Sequence, residues 1–288
     1  WNTSHSIGAG LIFVLCGSLL APVSWRACFL VPAAIAAACA AFLWLVLPDT
    51  PPSVGLPEVE GTHTELSGQQ TQVHYRTYVM RAVFRNKYVW RVSLANFFVY
   101  TLRYGMLDWG PTLLTQAKHL SLNSAGWMVA AFEGAGLIGA LCGGWLTDRF
   151  FGGRAMRAGL MFMVLACLAV LAFWKLAGQS VLWNTLLLCV SGFFIYGPQC
   201  LIGIAAAKLA TKHAAAAAIG LTGLFGYAST ILSGWGLGLL VERHGWDAGF
   251  AALVAVAVVG TVLFALAWPA KAHGYAVETP APRPAQAP

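Results

Sequence analysis

The stretch 97–112, FFVYTLRYGMLDWGPT, places an arginine near the middle of an apolar run that extends from about 88 to 114. A run of about 20 apolar residues suffices to cross a bilayer. An arginine at the centre of a membrane helix carries a penalty of roughly 2.5 to 3.5 kcal/mol on insertion scales, so Arg103 is expected to face the protein interior or a watery cavity and to have a function there. Asn96, Tyr100, Arg103, Tyr104 and Asp108 recur at steps of three and four, which draws one polar stripe along an otherwise apolar helix. The chemistry this predicts is anion capture. A guanidinium offers a planar fork of donors to a phosphate or carboxylate and stays charged in a low-dielectric site, while the tyrosines add further donors. The competing reading is a structural ion pair between Arg103 and Asp108 that locks two helices.

Asp108 and Glu133 are the remaining intramembrane acids, and each is expected to have a cationic partner or a proton, because an isolated buried carboxylate is costly. Asp108 in particular is expected to balance Arg103, or another cavity cation, when no anion is bound. The signatures of a phosphate-binding Walker loop, an HExxH metal site and a GxSxG nucleophile elbow do not occur, so neither enzymatic chemistry nor a cofactor or metal is expected. All seven cysteines lie in apolar segments without a CxxC pair and read as small core residues.

The elements that hold these groups follow from composition. The chain is 59% hydrophobic and 9% charged, with a mean hydropathy of +0.71, whereas soluble domains carry about 25% charged residues. It therefore reads as an all-α integral membrane protein. The formal charge of +7 is scattered between apolar runs with no basic stripe, which argues against nucleic acid as a partner and leaves the lipid bilayer. Hydropathy predicts eight spans, at about 1–20, 26–47, 88–114, 122–147, 156–177, 181–207, 213–240 and 246–269. A Pro-, Gly-, Ser- and Glu-rich stretch over 48–87 reads as a linker between two membrane domains, and the proline-rich residues 271–288 read as a disordered tail.

Basic residues concentrate on one side of this pattern (Arg76, Arg81, Arg85, Lys87, Arg91, Arg149, Arg154, Arg157, Lys208, Lys212, Lys271 and Arg283), with Arg26, Lys118, Lys175 and Arg243 on the other. That bias places the linker, the 148–157 loop and the C-terminus in the cytoplasm. An internal echo, WRACF at 25–29 and WDAGF at 246–250, suggests parallel repeats of the kind that build two-halved secondary transporters. The chain opens on Trp1 with no methionine and no cleavable leader, and reads as beginning partway into a longer protein.

The loop GGWLTDRFFGGR at 143–154 resembles the G-x-L-x-D-R-x-G-R signature of the major facilitator superfamily, with one extra residue before the later glycine-arginine part. In it Asp148 is expected to cap a helix end while Arg149 and Arg154 tie neighbouring helices at the cytoplasmic face, holding one access state closed. Set on that superfamily, the eight spans match helices 5 to 12 of twelve: 1–47 holds the last two helices of the N-terminal half, 48–87 the central loop and 88–270 the C-terminal half. Further motifs, WNTSHSIGAG at 1–10, DTPPSVGLP at 49–57, VYTLRYGMLDWGPT at 99–112, FFIYGPQCLIG at 193–203 and GLTGLFGY at 220–227, resemble the organophosphate:phosphate antiporter family.

The resemblance implies exchange of a phosphorylated metabolite, glycerol-3-phosphate or a sugar phosphate, for inorganic phosphate by alternating access in a bacterial inner membrane. It makes Arg103 one of two arginines that meet the phosphoryl group, the other belonging to helices absent from this chain, which are expected to be needed for function. It makes His5 part of the phosphate site, where a histidine could compensate the charge of a dianion, and it brings Tyr100, Tyr104, Tyr196 and Tyr227 near the cavity. Read without the family, His5 is equally a hydrogen-bonded core histidine and each tyrosine an ordinary amphipathic core residue. The alternative function is a membrane sensor of the same fold that binds external hexose phosphate and signals to a kinase partner.

Overall fold

The computed structural model describes residues 3–20, 24–48, 50–57, 76–116, 121–178, 180–210 and 214–270. The linker expected at 48–87 is therefore described only towards its ends, and the tail expected over 271–288 lies outside the described residues. Among the described residues the architecture is helical, with no strand. The helices are α1 (Thr3–Leu20), α2 (Ala27–Val46), α3 (Lys87–Leu107), α4 (Gly110–Gln116), α5 (Leu122–Phe150), α6 (Ala155–Leu176), α7 (Val181–Leu209), α8 (Ala215–Ile231) and α9 (Leu237–Ala267).

Among the described residues, five helices are long and apolar enough to cross a membrane: Ala27–Val46, Ser124–Phe150, Ala155–Leu176, Val181–Leu209 and the continuous 53-residue run Ala215–Ala267. At 1.5 Å per residue the last would reach about 80 Å, far beyond a hydrocarbon layer of about 30 Å. It is two spans, divided at Gly245, whose φ of 80° an L side chain rarely adopts. The seventh and eighth spans expected from hydropathy are thus both present. Within the first of them a π-helical turn, Leu232–Gly236, joins α8 to α9.

The third expected span, 88–114, is broken. Asn86 caps α3 by accepting a hydrogen bond from the Tyr88 backbone N–H at 3.0 Å, and the helix stops at Leu107 because Pro111 has no N–H to give back to the preceding turn. The short α4 then sets off from Gly110. Ser121 and Ser180 cap α5 and α7 in the same way as Asn86, accepting from the backbone N–H of Ser124 and Trp183.

Six helices form one bundle. α3 packs on α7, α8 and α9; α7 packs on α5, α6 and α8; and α9 closes the ring against α6. α1 lies against α5, and α2 is held to α1, where Cys16 Sγ donates to the Cys28 carbonyl at 3.7 Å and Cys28 Sγ to the Cys16 carbonyl at 3.6 Å. Contrary to the expectation that the cysteines are core residues, Cys39 is exposed and the other six are only half-buried. They sit where helix meets helix or faces outward rather than in the packed interior.

The α5–α7 contact is built from glycines. A Cβ at Gly139 would collide with the Phe193 carbonyl oxygen, one at Gly192 would come within 2.5 Å of the Phe132 carbonyl oxygen, and one at Gly143 would lie 3.2 Å from Gly197 Cα. Small residues at such positions let two backbones approach closely without a driving force from water. This closeness carries side chains of α7 across to those of α5 and α3, and that is where the site forms.

Candidate functional site

Arg103 is the largest fully buried side chain in the bundle, with 1% of its surface exposed. Its Nε donates to Tyr196 Oη at 2.8 Å, and its Nη2 stands 3.4 Å from Glu133 Oε1. Tyr196 Oη in turn donates to the same carboxylate oxygen. The guanidinium is also stacked, with Cζ 4.6 Å from the Tyr196 ring centroid and 5.5 Å from that of Tyr104. Glu133 is as buried as the arginine, and its second oxygen, Oε2, has no hydrogen-bond partner among the described residues. The three residues come from three helices, α3, α5 and α7, and Gly136 gives Tyr196 its place: a Cβ there would fall 2.6 Å from the tyrosine ring.

Next to this triad opens a cavity of about 600 Å³, whose lining includes His5 and Ser6 of α1, Tyr100 and Tyr104 of α3, Tyr196, Gln199 and Cys200 of α7, and Tyr227 of α8. Tyr100 anchors an aromatic wall, with ring centroids 5.6 Å from Tyr104 and 6.1 Å from Tyr227. Gly226 lets α8 close on α3 beside it, since a Cβ there would come within 2.7 Å of Asn96 Nδ2, which donates to the Thr222 carbonyl at 2.7 Å. Gln199 Nε2 donates to Tyr100 Oη at 3.3 Å, while its Oε1 is buried without a partner. Arg103 does not line the cavity. It lies behind Tyr104 and Tyr196, with its Nε and Nη2 held by protein groups.

Six residues singled out in the sequence (His5, Tyr100, Arg103, Tyr104, Tyr196 and Tyr227) and Glu133 are thus brought to one place by five helices. The charge partner of Arg103 differs from expectation. Arg103 and Asp108 are five residues apart, about 140° around a helix of 3.6 residues per turn, so they do not share a face. Asp108 stands exposed at the C-terminal cap of α3, and the carboxylate beside Arg103 is Glu133, reaching over from α5.

The 143–154 motif also differs from expectation. Asp148 and Arg149 are in the last turn of α5 rather than in a loop, and both are exposed, as is Arg154. A carboxylate at a helix C-terminus does not cap it, because the dipole there favours cations. The turn is made instead by Gly152 and Gly153, at φ 56° and 74°, with the Gly153 N–H returning to the Thr147 carbonyl at 3.0 Å.

Sequence reasoning missed Gln199. It sits in an apolar run and carries no charge, although its spacing of three from Tyr196 put it on the same helix face.

The chain matches the Major Facilitator Superfamily over residues 1–234. It is 37% identical over 275 residues to the glycerol-3-phosphate transporter of Bacillus subtilis (strain 168), an alignment covering 93% of this chain and 62% of that protein. It is 34% identical over 283 residues to a probable hexose phosphate transport protein of Chlamydia pneumoniae, with the same two shares, 93% and 62%. To the membrane sensor protein UhpC of Escherichia coli (strain K12) it is 33% identical over 262 residues, covering 89% of this chain and 60% of that one. The chain therefore spans about three-fifths of these curated relatives.

Among solved structures, that of a bacterial homolog to the human lysosomal transporter Spinster, inward-facing and unoccupied, matches 88% of this chain and 62% of its own with a TM-score of 0.64. At 16% identity that likeness concerns the fold. The match over 1–234 and these relatives show that the chain belongs to the Major Facilitator Superfamily, and the relatives named are transport proteins and a membrane sensor, not enzymes.

Proposed function

We propose that the protein to which this chain belongs exchanges a phosphate monoester, glycerol-3-phosphate or a sugar phosphate, for inorganic phosphate across a bacterial inner membrane by alternating access. The observation that carries the reading is the buried Arg103, held by a tyrosine and a carboxylate directly behind the wall of a cavity of about 600 Å³. Tyr196 and Glu133 hold the Nε and Nη2 donors of the guanidinium. A phosphoryl dianion entering the cavity competes for the same donors with more charge and a better match to the planar fork. Capture by Arg103 releases Glu133 and Tyr196, which unties α3 from α5 and α7. Binding energy realised in one arrangement of the helices and not in the other is what shifts the population between access states. His5, on α1, lines the same cavity and is a further contact for the anion, and the tyrosines supply donors to its oxygens.

The cavity reaches from the level of Arg103 towards the end of the bundle that carries the 151–154 turn, since Gly203 and Ile204 near the end of α7 and Ile219 near the start of α8 line it. The excess of Arg and Lys at that end makes it the cytoplasmic one. Asp148 and Arg149 at the end of α5, and Arg154 in the turn after it, then face the cytoplasm, where they are available to helices that close this face.

The test is counterflow of inorganic phosphate into proteoliposomes holding the full-length protein, with glycerol-3-phosphate and glucose-6-phosphate as competitors. Uptake that disappears in Arg103→Ala, with the better competitor naming the substrate class, is the expected result. The second reading, a sensor of external hexose phosphate, is favoured by the similarity to UhpC. A folded protein that binds phosphate esters through Arg103 yet gives no counterflow would establish it in place of transport.

A further inference from the structure

The triad accounts for the phosphoryl end of a ligand and leaves the organic end without a partner. Gln199 lies three residues after Tyr196 on α7, and Tyr100 three residues before Arg103 on α3. With α3 and α7 running in opposite directions, the Tyr100–Gln199 hydrogen bond at 3.3 Å is one turn, about 4.5 Å along the helix axes, from the Arg103–Tyr196 hydrogen bond and on its cavity side. Two or three carbon atoms cover that distance. A carboxamide has both a donor and an acceptor end. Tyr100 occupies the donor end of Gln199, and the acceptor end, Oε1, is buried with no partner among the described residues. A buried acceptor left unsatisfied is unfavourable unless something arrives to donate to it.

We propose that Gln199 is the residue that recognises the organic part of the substrate: its free amide end accepts a hydrogen bond from a hydroxyl two or three carbons from the phosphoryl group, so the site selects polyol and sugar phosphates over alkyl phosphates. This rests on the reading of Arg103 as the phosphoryl site. Tyr100 is a positioning residue, since its hydroxyl fixes which way the amide points.

Equilibrium binding to purified full-length protein tests this, using inorganic phosphate, glucose-6-phosphate and n-propyl phosphate as the three probes. Gln199→Met keeps the side-chain volume and removes both amide ends. We expect it to weaken glucose-6-phosphate roughly tenfold, as for one lost hydrogen bond, and to leave inorganic phosphate and propyl phosphate within about twofold of the parent. Equal weakening of all three probes, or of none, overturns the proposal and leaves the phosphoryl site standing. Failure of the unmodified, folded protein to bind any of the three overturns the phosphoryl reading, and this inference with it. Gln199→Asn, which retains the amide on a shorter arm, is expected to recover part of the discrimination between glucose-6-phosphate and propyl phosphate, which a purely structural role for the side chain does not do.

Discussion

Arg103 and Glu133 are each about 1% exposed, so neither can lose its partner to water. Removing one member of a buried ion pair typically destabilises a protein by about 3 to 5 kcal/mol, because the other charge is left uncompensated. Arg103→Ala alone therefore confuses a lost ligand site with a damaged fold. In the double variant Arg103→Ala, Glu133→Gln the stranded charge is gone, and thermal unfolding is expected to return most of the way to the parent while phosphate binding stays absent. The single variant Glu133→Gln reads the competition directly. It withdraws the protein's own anion from Arg103, so inorganic phosphate is expected to bind at least tenfold more tightly, and exchange to slow because release no longer has a carboxylate to drive it. Weaker phosphate binding in Glu133→Gln would instead make the glutamate part of the ligand site, as a protonated donor.

At the level of helices, the site depends on how closely α5 and α7 approach. The obstacle to a Cβ at Gly139 is a backbone carbonyl, that of Phe193, which cannot rotate aside as a long side chain can. Gly139→Leu is expected to abolish monodisperse protein in size-exclusion chromatography. Gly144→Leu, at a position with nothing within 4 Å, is expected to leave it unchanged. A folded Gly139→Leu protein would show that this interface tolerates separation.

The spans were legible because apolar length is a local property, and Gly and Pro mark where they end. Even so, Pro111 broke a helix that hydropathy alone carried through to residue 114, and the 151–154 turn is shorter than its motif suggests because Asp148 and Arg149 remain helical. The pairing of Arg103 with Glu133, 30 residues apart, was not legible at all. Periodicity reports which residues share a face of one helix, and Asp108 looked eligible on that basis, but the choice of partner across helices is made by glycine contacts such as Gly136 against Tyr196.

For the molecule as a whole, the question is which side the cavity serves. α2 is held to the rest through α1 and exposes Phe29, Phe42 and Trp44, at 71%, 62% and 85%, as befits a surface that meets lipid or further helices. Cys200 offers a native probe of the interior, because it lines the cavity next to Gln199, whereas Cys39 lies exposed on α2. In full-length protein with the other cysteines replaced, a membrane-impermeant charged thiol reagent is expected to modify Cys200 in inside-out vesicles, where the cytoplasmic face is outward. The same reagent is expected to modify it several-fold more slowly in right-side-out vesicles and when glucose-6-phosphate is present. Alternating access requires that the bias between the two vesicle types weaken as substrate on either side redistributes the conformations. Labelling from the outer face alone would reverse the orientation drawn from the basic residues. Labelling that phosphate esters never slow would mean that the cavity beside Arg103 is not the route the substrate takes.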